Sequence, residues 1–166
     1  GDSLYVIESA NQVAVYSLST HMPIRTIGKK GEGPGEFPRT PYLKILPDSL
    51  FFGTFGKFTT YSKTGEFLED KLQHALVYLL PMADGYVSLT NRNEEEFRTR
   101  MVNLLGPEQN QLKVLQQNRL EQSRRRGIIY AINDFFHIDS HADKIFVADS
   151  SLGFHISVYY YAKKSA

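Results

Sequence analysis

The chain is built from short runs in which every second residue is apolar or aromatic. Four of these runs open on an aspartate and share one form, at Asp2-Ser-Leu-Tyr-Val, Asp48-Ser-Leu-Phe-Phe, Asp84-Gly-Tyr-Val-Ser and Asp143-Lys-Ile-Phe-Val. A second alternating run follows each of them, beginning at Gln12, Lys57, Arg98 and His155. Alternation with a period of two places one set of side chains in a core and the other towards solvent or a neighbouring sheet. The pattern therefore predicts an all-β chain made from a repeated hairpin.

Further strands extend this hairpin on both sides. A third strand follows at Pro23, Gly65 and Gln111, and another apolar run precedes three of the aspartate-led runs, at Tyr42, Tyr78 and Phe135. We name the strands of one repeat A to D, with the aspartate-led run as strand B. Successive B strands start 46, 36 and 59 residues apart, near the period of about 40 to 50 residues found in four-stranded propeller blades. The spacing predicts a β-propeller of four-stranded antiparallel blades.

One segment permits a different interpretation. Residues 109–126 are rich in Gln, Leu and Arg, which are good helix formers. The Gly106-Pro107 turn and the matching position in the other repeats favour a hairpin for the first half of this segment. We therefore predict strand D from Gln111, and a loop between blades, with room for a helical turn, over residues 118–126.

A glycine-rich stretch connects strand D of the first repeat to strand A of the second. Four glycines and one proline lie within residues 28–35, which predicts a turn, with Phe37 packing between adjacent sheets. A phosphate-binding loop is disfavoured because no helix is predicted to follow. With Gly31, Gly33, Gly35 and Phe37, followed by Pro41, Asp48 and Leu50, the stretch resembles the blade junctions of NHL-repeat and related TolB-like six-bladed β-propeller proteins of bacteria.

The resemblance implies an incomplete propeller. The predicted strands run B to D, then twice A to D, then A to C, which is about three and a half blades out of six. We expect one partial propeller domain over residues 1–166, with blades at about 1–37, 38–77, 78–125 and 126–166. Such a piece of a longer propeller has open sheet edges, which favour self-association.

Composition narrows the function only slightly. Nineteen basic and eighteen acidic residues give a net charge of +1, so the whole chain has no field that would recruit nucleic acid. The chain has no cysteine and no apolar run near the ~18 residues that a membrane-spanning helix needs. By resemblance to exported bacterial propellers, we expect a periplasmic or extracellular location.

Metal-binding residue types cluster once. His137, Asp139 and His141 alternate along the chain, and imidazole with carboxylate suits zinc or a similar ion. The competing interpretation is a turn with hydrogen-bonding side chains, with His141 between strands A and B. We predict no cofactor, with a divalent cation as the alternative.

A basic cluster suggests a second kind of ligand. It consists of Arg119, Arg124, Arg125 and Arg126, and some NHL-type propellers bind RNA through a positive face. No aromatic residue that could stack on a base is interleaved with these arginines, which favours a solvated loop.

Three functions are compatible with these observations. We favour a non-catalytic scaffold that presents loops to a protein or glycan. Propellers bind ligands at one face, so the resemblance implies candidate ligand-binding residues in the loops between strands B and C, namely Glu8, Asn11, Asn91, Arg92, Asp149 and Ser150. The alternatives are a metal-dependent lactonase- or lyase-like enzyme, whose channel site is completed by further blades, and RNA binding through the arginines.

Overall fold

The computed structural model describes residues 2–73, 76–94, 97–121, 136–141, 144–149 and 155–160. The chain divides into two compact units, Gly1–Leu79 and Leu80–Ala166. Fourteen strands and no helix occur in the described ranges, and they form four antiparallel sheets. In these ranges, accordingly, no helix is long and apolar enough to cross a bilayer.

The first unit holds two sheets. The first sheet has the order β1-β2-β3, with β1 at Ser3–Glu8, β2 at Gln12–Ser17 and β3 at Pro23–Ile27. The second sheet has the order β4-β5-β6-β7, with β4 at Tyr42–Ile45, β5 at Ser49–Thr54, β6 at Lys57–Ser62 and β7 at Phe67–Leu72. Each strand pairs with its neighbour in sequence, so every connection inside a sheet is a hairpin.

Two further sheets follow. The third sheet has the order β8-β9-β10-β11, with β8 at Leu76–Met82, β9 at Gly85–Asn93, β10 at Phe97–Leu105 and β11 at Gln111–Glu121. The fourth sheet has the order β12-β13-β14, with β12 at Phe136–His141, β13 at Lys144–Asp149 and β14 at Ile156–Tyr160. The predicted B-C-D, A-B-C-D, A-B-C-D and A-B-C strand order is confirmed.

The prediction for residues 109–126 was partly wrong. Residues 111–121 form one long strand, so the helix is excluded there and the predicted loop cannot begin at Asn118. The strand continues because β10 extends back to Phe97 and pairs with Glu121, and two register shifts absorb the mismatch along the ladder. Residues 122–126 lie outside the described ranges.

The core of the first unit lies between its two sheets. Val13, Val15 and Ile27 of the first sheet pack with Leu50, Phe52 and Tyr61 of the second sheet. Phe37 belongs to this cluster, is 1% exposed, and lies with its ring centroid 5.1 Å from that of Phe52. The prediction that Phe37 packs between adjacent sheets is confirmed.

Candidate binding surface

The glycine-rich stretch between β3 and β4 closes on itself, and we call residues 28–37 the junction loop. The Phe37 N–H donates to the Lys29 carbonyl (2.8 Å), and the Gly31 N–H donates to the Phe37 carbonyl (3.1 Å). Gly28 has a φ of 68°, and a Cβ there would lie 2.2 Å from the Phe37 ring. Only glycine combines that backbone conformation with so close an approach.

A buried lysine fixes the junction loop to the second sheet. Lys57, at the start of β6, donates from Nζ to the carbonyls of Gly33 (2.6 Å) and Glu36 (2.8 Å). The same ammonium lies 3.1 Å from a carboxylate oxygen of Asp70. Asp70 in turn accepts from the Gly35 N–H (3.1 Å) and the Thr59 hydroxyl (2.6 Å). Because both charges are paired and hydrogen-bonded, the Lys57 ammonium can remain buried and the Asp70 carboxylate largely so.

An ion pair and two further hydrogen bonds stabilise the junction loop. Lys29 lies 3.0 Å from Glu36, whose other oxygen accepts from the Gly33 N–H at 3.0 Å. These two hydrogen bonds, with that of Lys29 the larger, hold the pKa of Glu36 below its usual value. The Tyr61 hydroxyl donates to the Gly35 carbonyl. Burial, together with Asp70 and Glu36, raises the pKa of Tyr61 to about 12.

This arrangement does not resemble a phosphate-binding loop. Such a loop points its N–H groups at the ligand, whereas the carbonyls of Gly33, Gly35 and Glu36 accept from Lys57 and Tyr61. The N–H groups of Gly33 and Gly35 are already bound to the carboxylates of Glu36 and Asp70. The junction loop is therefore a structural element, because its backbone groups bind side chains of the protein itself.

Of the six predicted ligand-binding residues, Glu8 and Asn11 lie at the β1–β2 turn, which contacts the junction loop. Asn11 is buried with a φ of 56° and donates from its side chain to the Phe37 carbonyl (3.3 Å). Its side-chain oxygen accepts from the Thr40 hydroxyl (3.2 Å). Glu8 accepts a hydrogen bond from Gln12. Asn11 is thus occupied in holding the turn, and Glu8 is the more accessible of the two.

The β5–β6 turn carries a residue that the sequence analysis missed. Phe55 is 60% exposed at the tip of this two-residue turn, next to Gly56 with a φ of 78°. Lys57 follows Gly56, and its side chain donates hydrogen bonds to the junction loop. An exposed aromatic ring on a turn that adjoins the fixed Lys57 is a candidate anchor for a partner. The position of Phe55 between strands B and C is the feature of the sequence from which it could have been predicted as a candidate.

The four remaining predicted ligand-binding residues are not in described loops. Asn91 and Arg92 lie within β9, because β9 pairs with β10 as far as Asn93. Their assignment to the loop between strands B and C was therefore wrong. Asp149 ends β13, its side chain is outside the described part of the chain, and Ser150 is outside it altogether.

Arg119 lies in a strand and in a mixed-charge environment. It is in β11 opposite Thr99 of β10, and its guanidinium is 3.8 Å from the centre of the Phe97 ring. Glu94 lies 3.5 Å from Arg119 and 3.7 Å from Arg92. Arg124, Arg125 and Arg126 lie outside the described ranges. RNA binding by these four arginines stays a prediction.

The predicted metal ligands share one strand. His137, Asp139 and His141 occupy alternate positions of β12, and His141 pairs with Lys144, so it was wrong to place His141 in a turn. The Asp139 carboxylate accepts from the Ser140 N–H at 2.7 Å. The side chains of His137 and His141 are not among those described. Within the described part of the chain, no group of three or more His, Asp or Glu side chains could hold a metal ion.

Comparisons with known proteins show the fold. The chain is similar to the crystal structure of the computationally designed Ika4 protein, with a TM-score of 0.54, 10% identity, and coverage of 98% of this chain and 87% of Ika4. It is also similar to BamB from Moraxella catarrhalis, with a TM-score of 0.52, 8% identity, and coverage of 96% of this chain and 56% of BamB. No protein-family model matches the sequence. No curated protein matches it either.

The strand order, the sheets and these neighbours define the class of protein. The chain has an all-β fold with four-stranded antiparallel sheets, and its structural neighbours are β-propellers. The predicted β-propeller fold is confirmed. At 8–10% identity the similarity concerns the fold alone. The chain spans 56% of the length of the BamB chain.

Proposed function

We propose that the protein is a non-catalytic binding scaffold whose first unit presents a rigid loop surface to a protein partner. We define this surface as the β1–β2 turn, the junction loop and the β5–β6 turn. The observation that carries the proposal is the position of the exposed Phe55 two residues before Lys57, whose ammonium makes three polar contacts. A preorganised anchor loses little conformational freedom when it binds.

The chemistry around Phe55 favours a protein over a glycan. Protein interfaces concentrate their binding energy in aromatic anchors surrounded by polar groups. The surface offers acidic Glu8 and Glu36 and basic Lys29, and a mixed rim of this kind gives electrostatic complementarity to a folded partner. Propeller neighbours of this fold are compatible with a scaffold role.

We infer from the sequence of the junction loop that the protein is an NHL-type six-bladed propeller. We further infer that residues 1–166 form one partial propeller domain, with blades at about 1–37, 38–77, 78–125 and 126–166. Export to the periplasm or beyond follows from the same resemblance, and the absence of cysteine is compatible with it.

The test is affinity capture from an extract of the source organism, with the purified chain as bait and four baits compared in parallel. Wild type should retain a defined partner. The Phe55→Ala variant should bind this partner with an affinity lower by about 10-fold or more, as expected for loss of an interface anchor. Leu112→Ala serves as the matched control, because Leu112 is similarly exposed but lies on β11.

The fourth bait separates a protein partner from the alternatives. Arg119→Ala should leave the partner in place, and an effect of Arg119→Ala with none of Phe55→Ala would contradict the proposal. The retained partner should survive nuclease and glycosidase treatment of the extract. Loss of binding after either treatment would assign the surface to RNA or glycan.

A further inference from the structure

The two sheets of the first unit pack face to face. The first sheet presents Val13 and Val15, which are both 0% exposed, to Leu50 and Phe52 of the second sheet. We call a face that carries positions equivalent to Val13 and Val15 a rear face. A face that carries positions equivalent to Leu50 and Phe52 is a front face. In the first unit, therefore, a rear face packs against a front face.

The fourth sheet has the same rear face, and its apolar side chains are exposed within the described part of the chain. Ile156 and Val158 follow His155 as Val13 and Val15 follow Gln12. The register agrees, because Val158 pairs with Phe146 as Val15 pairs with Tyr5. Ile156 is 64% exposed and Val158 is 43% exposed, although their equivalents are fully buried.

The first sheet has the complementary front face, whose apolar side chains are likewise exposed among the residues that the structure describes. Leu4 and Val6 lie two and four residues after Asp2, as Leu50 and Phe52 lie two and four residues after Asp48. Leu4 pairs with Tyr16 as Leu50 pairs with Tyr61. Leu4 is 49% exposed and Val6 is 37% exposed. The chain thus carries both halves of a contact that it already uses in its own core.

We propose that the front face of the first sheet binds the rear face of the fourth sheet in a second copy of this chain. The contact pairs the same two kinds of apolar face as the packing of the first and second sheets, without the contribution that Phe37 makes to that core. Burial of apolar side chains drives it. The two surfaces differ, so the contact is heterologous. It uses neither Phe55 nor the junction loop, and so stands apart from the proposed scaffold function.

Light scattering of the purified 166-residue chain tests the proposal first. The wild type should have the mass of two or more chains, with a concentration-dependent equilibrium. Val6→Glu and Val158→Glu should each weaken association by about 100-fold or more, because a carboxylate would be buried without a partner. Leu112→Glu adds the same charge at an exposed position outside both faces and should leave the mass unchanged.

Mixing the two variants makes the test specific. Val6→Glu keeps an intact rear face and Val158→Glu keeps an intact front face, so the mixture should form a 1:1 pair although each variant alone is monomeric. Recovery of the pair also shows that both variants are folded. A monomeric wild type would overturn the proposal. Loss of association in only one variant, or no pairing in the mixture, would equally overturn a front-to-rear contact.

Discussion

The second sheet places Phe52 opposite Thr59, whereas the third sheet places Ser88 opposite Asn103 at the corresponding position. Phe52 and Ser88 each lie four residues after the aspartate of their repeat. Both pairs are buried, but Phe52 packs with Phe37 and Tyr61 while Asn103 donates to Thr90 at 3.3 Å. The Asn103 side-chain oxygen has no partner within the described part of the chain.

The repeat therefore specifies strand pairing more strictly than it specifies the chemistry of the core residues. The same register accommodates an aromatic cluster in one sheet and a polar pair in the next. Stability should therefore depend on the aromatic cluster and its junction loop far more than on the polar pair. Five substitutions or titrations test this, all followed by urea unfolding at one protein concentration, since association would shift the apparent stability.

The largest effect is expected for Phe52→Ala. It removes a fully buried ring from the first unit's core and should lower the free energy of unfolding by about 3–5 kcal/mol. Phe55→Ala is the matched control and should change it by less than about 0.5 kcal/mol, because Phe55 is exposed. Equal losses in the two variants would contradict the placement of the core.

Gly28→Ala should follow, with a loss of about 2–4 kcal/mol. The new Cβ would clash with the Phe37 ring, and the positive φ would be strained for alanine. Gly33→Ala is the control, since its Cβ would meet only the end of the Glu36 side chain, at 3.1 Å. If the Gly28→Ala variant were as stable as the wild type, Gly28 could not lie against the Phe37 ring.

Lys57→Ala should lower the free energy of unfolding by about 2–3 kcal/mol, because it leaves Asp70 without its ion pair and frees the carbonyls of Gly33 and Glu36. The double variant with Asp70→Asn should recover part of the loss. Lys29→Ala removes an exposed lysine and should have little effect. No difference between the two lysine variants would contradict a structural role for Lys57.

Tyr61 should make stability depend on alkaline pH. Its pKa of about 12 in the folded chain exceeds the ordinary value of 10, so the unfolded chain releases the proton first. Stability is then fully present below pH 10 and falls as the pH rises from 10 to 12. Tyr61→Phe should reduce this slope in urea titrations between pH 9 and about 11.5. An unchanged slope would contradict burial of the hydroxyl.

The smallest effect is expected for the polar pair of the third sheet. Replacing both partners, as Ser88→Ala with Asn103→Val, should change the free energy of unfolding by less than about 1 kcal/mol. The reverse exchange in the second sheet, Phe52→Ser with Thr59→Asn, should cost as much as Phe52→Ala. Equal tolerance of both exchanges would remove the distinction between the two sheets.

Much of the fold could be predicted because strand alternation and turn residues are local features. The B strands at Asp2 and Asp48 and the burial of Phe37 follow from such patterns. The candidate surface could not be predicted in the same way. The Lys57–Asp70 pair and the hydrogen bond from Asn11 to Phe37 join residues far apart in sequence, and alternation says nothing about them. The extension of β9 past Asn91 depends on pairing with β10 rather than on its own side chains.

Amide hydrogen exchange can show whether the junction loop is a fixed part of the first unit that supports the binding surface. The amides of Gly31 and Phe37 should exchange as slowly as those of β5 and β6, and should lose that protection in Lys57→Ala. If these amides exchanged in the wild type as fast as those of the β2–β3 turn, where Ser19 is exposed, the junction loop would not be fixed.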